Sequence, residues 1–306
     1  MKREIIKLPI QSFCFGVRNA IDETNRIINN PNTIKPIHML GEIVHNKYVS
    51  EYFENNGVIV HKEGKRIEMI NIIENGSVIF TAHGVSSEVI NQAIAKKLPY
   101  YNTTCPFVKN SIKVIQKYLH DDYIVLYIGS DMHPEVETAL SFGDKVKLIQ
   151  SLDDVNNLTI ASDKICVTNQ TTMSTYDIAE IVEALKIKYP HLVIMEKVCN
   201  AAKERQEMIK NITSKHKNDE ATAFIIVGDS NSHNSKKLAD IISKYNNNIY
   251  FIETVNDLNL PLLDKFNKIY IGSGTSTPRA IIDEVYETLL DNSKIRKPLT
   301  LEDYIK

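Results

Sequence analysis

A chain of 306 residues, 43% hydrophobic and 24% charged, has the make-up of ordinary globular domains and room for two or three of them. A formal net charge of −2 gives no broad pull toward nucleic acid or a membrane surface, so neither is an expected partner, and an anionic substrate needs a local site. The start, Met-Lys-Arg-Glu-Ile-Ile-Lys, lacks the apolar run of a signal peptide, and no stretch has the apolar length of a membrane span, so a cytoplasmic protein is expected.

In chain order, the apolar run Glu4 to Ile10 reads as a strand leading to Cys14, where CFGVRNAIDETNRII takes up a helical pattern. PIHMLG is a strand ending at Gly41, followed by a polar turn with His45 and a helix. SVIFTA is another strand, followed by a turn with His83 and a helix. The series then begins again. Leu98 to Thr104 leads to Cys105 and CPFVKNSIKVIQKYL, with Pro106 at the first helical position, where a missing N–H costs least. YIVLYIGSDMHPEVETAL carries Gly129 and His133, and KICVTNQTTMSTYDIAEIVEAL carries Gln170, Thr171 and Thr172. In a third round, His191 to Val198 leads to Cys199 and CNAAKERQEMIKNI. AFIIVGDSNSHNSKKLADI follows with Gly228, Ser232 and Asn234, then KIYIGSGTSTPRAIIDEVYETL with Thr275, Ser276 and Thr277.

Cys105 lies 91 positions after Cys14, and Cys199 lies 94 after Cys105. A basic residue, Arg18, Lys109 or Lys203, stands four places after each cysteine. A single such likeness among helix starts could arise by chance; three matching segments in the same order point to an internal repeat. Alternating strands and helices predict an α/β fold of three pseudo-repeated αβα domains with mostly parallel sheets around a pseudo-threefold axis. The expected limits are 15–104, 105–198, and 199–290 together with 1–14, with 291–306 as a docked or frayed tail. In parallel sheets the binding site forms at the carboxyl ends of the strands, where every residue named above lies.

Four cysteines without a Cys-x-x-Cys pair argue against a disulfide framework, a zinc ribbon or a thioredoxin motif. A cysteine at a helix amino terminus is disposed to be a thiolate, and three converging thiolates need a cation or cluster. Zinc usually wants a fourth protein ligand or a water. A [4Fe-4S] cluster, one per chain, on Cys14, Cys105 and Cys199 leaves one iron without a protein ligand, open to act as a Lewis acid. Cys166, inside the apolar run Lys164 to Val167, has no counterpart in the other rounds and reads as a buried thiol. The turn residues His45, His83, His133, Thr171, Ser232, Asn234 and Ser276 suit a diphosphate, although turn residues of these types also simply cap helices. There is no Walker sequence and no Gly-x-Gly-x-x-Gly, which disfavours a nucleotide. In His133-Pro134-Glu135, a carboxyl group shielded from water could serve as general acid. Glu137 is expected on the helix surface or behind the site, and His38 and His61 are expected to be structural or exposed.

With EIVHNKYV, TAHGVS, TTCPFV, HPEVE, TNQTT, VCNAAKERQ, GDSNSHNSKKL and GSGTSTP in this order and spacing, nearly the whole chain resembles the LytB family of 4-hydroxy-3-methylbut-2-enyl diphosphate reductases. The resemblance implies a three-lobed αβ fold around a central [4Fe-4S] cluster on Cys14, Cys105 and Cys199. It implies reductive removal of an allylic hydroxyl as water, using two electrons and two protons. Isopentenyl and dimethylallyl diphosphate would result, as the last step of the non-mevalonate isoprenoid pathway. Carried onto this chain, His45, His83, Ser232, Asn234 and Ser276 bind diphosphate, His133 and Thr171 line the cavity at the hydroxymethyl group, and Glu135 delivers the proton. A ferredoxin- or flavodoxin-like electron donor and a monomeric chain are implied. Two departures stand out: His233 replaces a serine of many relatives, where its ring could donate instead, and Ala202 replaces a threonine found in some. The rival readings are an iron–sulfur lyase of the quinolinate synthase type, against which the HNKYV, TAHGV and SHNS turns weigh, and a non-enzymatic iron–sulfur sensor.

Overall fold

A computed structural model of the chain describes residues 3–293 and 297–306. Met1, Lys2 and, within the expected tail, residues 294–296 lie outside the described residues. The chain opens with β1 (Glu4–Lys7) and α1 (Phe15–Asn29). One round then runs through β2 (Ile37–Leu40), α2 (Lys47–Asn55), β3 (Val58–His61), α3 (Arg66–Ile72), β4 (Ser77–Phe80), α4 (Ser87–Ala95) and β5 (Tyr100–Asn102). The next comprises α5 (Pro106–His120), β6 (Ile124–Ile128), α6 (Pro134–Leu140), β7 (Val146–Ile149), α7 (Leu152–Asn157), β8 (Ile165–Asn169), α8 (Thr175–Lys188) and β9 (Val193–Ile194). The last comprises α9 (Asn200–Thr213), β10 (Thr222–Val227), α10 (His233–Ser243), β11 (Ile249–Ile252), α11 (Leu260–Leu263), β12 (Lys268–Ser273) and α12 (Arg279–Leu290).

Three four-stranded sheets result, ordered β3-β2-β4-β5, β7-β6-β8-β9 and β11-β10-β12-β1. Every pairing is parallel. The strand order is the same each time, and β1 holds in its sheet the place that β5 and β9 hold in theirs. The expected class, α/β with three repeated parallel-sheet arrangements, is the class observed. By compactness the chain gathers into two units. One comprises Met1–Arg18, Val44–Asn55 and Asn200–Lys306; the other comprises Asn19–Ile43 and Asn56–Cys199, and holds two of the sheets.

Alternation along β10 shows why helices cover both faces of a sheet. Ala223, Ile225 and Val227 pack with Ile281, Ile282, Val285 and Leu289 of α12. Phe224 and Ile226 pack with Leu238, Ile241 and Ile242 of α10 and with Ile209 of α9. Strands buried on both faces need a continuous apolar run, which is what TAFIIV supplies. In the second unit, Leu126, Ile128, Ile165 and Val167 do the same against Ile178, Ile181, Val182 and Leu185 of α8. Among the described residues no helix is long and apolar enough to cross a membrane. The last residues form a 3₁₀ turn, Leu301–Ile305, docked in the first unit: Tyr304 stacks on Tyr48 of α2, ring centroids 4.5 Å apart, and Arg18 donates to the Ile305 carbonyl.

Candidate active site

The three cysteines of the repeat occupy equivalent positions. Each follows the strand at one edge of its sheet, stands immediately before a helix and is half-buried. Each cysteine amide donates to a carbonyl in the turn that leaves the strand next to the edge strand it follows: β4, β8 or β12. Cys105 N–H reaches Ala82 O at 3.0 Å, Cys199 N–H reaches Thr171 O at 3.0 Å, and Cys14 N–H reaches Thr275 O at 3.2 Å. Two of the cysteines' own carbonyls then start helices, Cys14 O accepting the Arg18 amide and Cys105 O the Lys109 amide, both at 2.9 Å. Cys166 stands apart: it is fully buried in β8, and burial pushes its thiol up to about 12.

In the second unit, the turns after β4, β6 and β8 present His83, His133 and Thr171. His133 caps α6: its Nδ1 accepts the Glu135 amide at 3.1 Å. A ring nitrogen that accepts carries no proton, so in the neutral ring Nε2 is the donor. The His83 and His133 rings meet edge to face, centroids 5.6 Å apart. Glu135, the second residue of α6, is 3% exposed. Its Oε1 accepts the Thr171 hydroxyl and its Oε2 the Thr171 amide, each at 2.9 Å. Burial drives the carboxyl pKa up to about 7, although both Thr171 bonds favour the charged form. Thr171 thus joins Glu135 through its side chain and amide to Cys199 through its carbonyl. Gln170, fully buried, accepts the Ser130 amide at 3.0 Å and ties the turns after β6 and β8 together. Glu137 is not a plain surface residue: its carboxylate is paired with the buried Arg66 at 3.2 Å.

In the first unit, Ser232 caps α10, its hydroxyl accepting the Ser235 amide at 3.3 Å and the Ser235 hydroxyl at 3.0 Å. Ser276, from the turn after β12, donates to the same oxygen at 3.3 Å. Ser235 was not singled out in the sequence, yet it fixes the backbone here. Gly228 and Gly274, which follow β10 and β12 by one residue, face its side chain so closely that neither has room for a Cβ. Asn234 is 3% exposed, and neither its Oδ1 nor its Nδ2 has a hydrogen-bond partner among the described residues. A buried unsatisfied carboxamide costs about 1–3 kcal/mol, so this one is arranged for something other than the folded chain alone. His233 is the half-buried first residue of α10, and His45 is half-buried ahead of α2. The Lys47 amide meets Asp229 at 3.3 Å and its ammonium meets Glu253 at 3.1 Å, which ties α2 to the turns after β10 and β11.

Arg205 also escaped the sequence reading. Buried in α9, it donates to the carbonyls of Gln11 and Ser12 at 3.3 and 2.7 Å and anchors the segment leading to Cys14. Its neighbours in VCNAAKERQ were the available signal. Ala202 is fully buried in the same helix, so its methyl fills a packed position. His38 and His61 pair with each other, Nδ1 to Nε2 at 3.0 Å, and burial lowers the pKa of both.

A family model described as LytB protein matches residues 5–290. The 4-hydroxy-3-methylbut-2-enyl diphosphate reductase of Geobacillus kaustophilus is 36% identical over 288 residues, spanning 94% of this chain and 90% of the relative. That of Anoxybacillus flavithermus is 38% identical over the same length and shares. Among solved structures, the E-1-hydroxy-2-methyl-but-2-enyl-4-diphosphate reductase from Plasmodium falciparum aligns with a TM-score of 0.86 at 28% identity, covering 95% of this chain and 89% of that one. Another, a (E)-4-hydroxy-3-methyl-but-2-enyl diphosphate reductase described as the terminal enzyme of the non-mevalonate pathway, aligns with a TM-score of 0.66 at 26% identity, covering 94% and 99%. The equivalent cysteines, the Glu135–Thr171 pair and this likeness along the chain lead to one conclusion: the chain belongs to the LytB family.

Proposed function

We propose that this chain is a 4-hydroxy-3-methylbut-2-enyl diphosphate reductase. It removes the allylic hydroxyl as water with two electrons and two protons, and yields isopentenyl and dimethylallyl diphosphate. The observation that carries the reading, beyond family membership, is the buried Glu135 carboxyl. It is held at both oxygens by Thr171 and titrates near neutrality. A sensor or a simple binding module has no use for a proton donor so placed.

LytB enzymes depend on iron–sulfur chemistry. Cys14, Cys105 and Cys199 fit that requirement: half-buried, at helix starts and tethered in the same way, they offer three sulfur atoms of one kind. Cys166, buried and with its thiol pushed up to about 12, is unfit as a fourth. When bound, one [4Fe-4S] cluster with an iron lacking a protein ligand would pass on electrons from an external donor and supply a Lewis acid.

The chain's own groups do the rest. The amino end of α10, with Ser232, Asn234 and Ser276, receives phosphate oxygens, and the Asn234 amide there gains the partner it lacks among the described residues. His45, His83 and His233 add donors, and His133 presents Nε2–H toward the hydroxymethyl group. Leaving as water requires a proton, because hydroxide is a poor leaving group. When Glu135 Oε1 is protonated, its hydrogen bond with Thr171 reverses: the acid donates to Oγ1, and the hydroxyl hydrogen turns toward the substrate. In this reading the repeats span 15–104, 105–198, and 199–290 with 1–14, the donor is a reduced ferredoxin or flavodoxin, and the enzyme works in the cytoplasm. The test is anaerobic incubation with reduced methyl viologen. Viologen should be oxidised only when the allylic diphosphate is added, two electrons per product formed. No substrate-dependent oxidation would exclude this function.

A further inference from the structure

Arg66 opens α3 and is 5% exposed. Its partner, Glu137, lies on α6 two residues beyond Glu135. One Glu137 oxygen accepts the Arg66 backbone N–H at 3.0 Å, and the other accepts Nη1 at 3.2 Å. The backbone N–H is among the first amides of α3, which have no acceptor inside their own helix. A single carboxylate thus caps α3 and neutralises its first side chain. On its other edge the guanidinium rests on Gly41: a Cβ there would stand 3.2 Å from Nη2, and the residue's φ of +85° favours glycine in any case.

The first turn of α6 therefore has three consecutive anchors. Glu135 is held by Thr171 of the turn after β8. Val136 packs against Gly129 of the turn after β6. Glu137 is held by Arg66, which comes from the round that forms the other sheet of this unit. As a device for stability the last anchor is poor. Burial works against the charge on Arg66, and its Nε is buried without a partner among the described residues. Apolar residues of similar volume often replace such pairs at no loss. What an apolar pair cannot supply is a directional contact at two points.

We propose that Arg66 is a positioning residue, which through Glu137 fixes the first turn of α6 and so sets where the Glu135 carboxyl and the His133 ring stand. This rests on the reading of Glu135 as the proton donor. A displacement of about 1 Å at a reacting group can cost as much as a hundredfold in rate, so the effect falls on turnover.

The experiment compares wild type, Arg66→Met, Arg66→Lys and the double variant Arg66→Met/Glu137→Met, all carrying iron and sulfide as purified anaerobically. Arg66→Met keeps the backbone N–H bond but leaves the half-buried Glu137 carboxylate without a cation, and lowers the thermal midpoint; the double variant restores the midpoint, because no charge is left uncompensated. Turnover separates the two accounts. In Arg66→Met and in the double variant kcat should fall by about ten- to a hundredfold, with KM within about twofold of wild type. Arg66→Lys should recover part of it. Amide hydrogen exchange gives a reading independent of turnover. In the double variant the Thr171 amide, which is bonded to Glu135, should exchange faster than in wild type while core amides of β6 and β8 do not. A double variant with wild-type kcat and an unchanged Thr171 amide would overturn the proposal and leave Arg66 a stability residue only. A wild type inactive on the allylic diphosphate would instead overturn the function itself, and the positioning role with it.

Discussion

Glu135 holds its proton to about pH 7 because burial outweighs the two hydrogen bonds from Thr171 that favour the carboxylate. General acid catalysis is typically worth about 10²–10⁴-fold, so Glu135→Gln should cut turnover by about that factor. The amide keeps the size and can still accept one of the two bonds from Thr171, so substrate affinity should be nearly unchanged; a variant at wild-type rate would move the proton source elsewhere. The same residue predicts two pH effects. Turnover should fall along an alkaline limb near pH 7 as the acid is lost, and Glu135→Gln should abolish that limb. Thr171→Val removes a bond that lowers the pKa, so the limb should move upward while the rate drops. Stability follows from linkage. An unfolded glutamate releases its proton near 4.5 and the folded one near 7, so the native state binds more protons across that window. Stability should therefore be greatest below the window and decline as pH rises through it, by the order of 3 kcal/mol from this residue. Urea midpoints at about pH 5 and about pH 8 should differ less in Glu135→Gln than in wild type, and equal differences would refute the shift.

At the scale of a single helix, α10 separates binding from folding. Ser232 both caps the helix and faces the proposed diphosphate, so Ser232→Ala should lose about 1 kcal/mol of stability as well as affinity. The Asn234 side chain has no hydrogen-bond partner among the described residues, so Asn234→Ala should leave the thermal midpoint unchanged or raise it. Substrate affinity should nonetheless fall by about 1.5–3 kcal/mol, roughly ten- to a hundredfold. Calorimetric titration beside a melting curve checks both, and an Asn234→Ala chain that melts early but binds normally would reverse the assignment. The strands and helices on either side of each proposed site residue were legible because β2, β4, β6, β8, β10 and β12 are apolar runs ending in small or polar turns. The strands β3, β7 and β11 were not singled out. Each lies at an edge of its sheet and is only partly buried, so VIVH, VKLI and IYFI carry a weaker signal. Arg66 was illegible for a different reason: its partner stands 71 positions away, and charge pairs leave no periodicity.

At the scale of the whole molecule, the repeat seen in the sequence returns as a repeated strand order and a repeated tether. The cysteine positions were legible because each opens a helix after a strand. That β1 completes the sheet of β10, β11 and β12 was legible only by counting the rounds, since its partner Lys268–Ser273 comes near the other end of the sequence. This closure makes the three cysteine positions equal in kind although unequal in sequence. Cys14 hangs from Thr275, Cys105 from Ala82 and Cys199 from Thr171, each by its own amide. Replacing any one with serine changes a single atom and leaves that backbone bond in place, so the fold should survive. What is lost is a thiolate, and a cluster with only two of three ligands should be missing or damaged in Cys14→Ser, Cys105→Ser and Cys199→Ser alike, with turnover abolished. Cys166→Ser places a hydroxyl inside β8, where burial disfavours it, so a modest fall in the thermal midpoint is expected. Its iron and sulfide should remain at about four each per chain after anaerobic purification. Measured side by side, iron content should thus separate three variants from one. Full iron in any of the three, or its loss in Cys166→Ser alone, would redraw the ligand set.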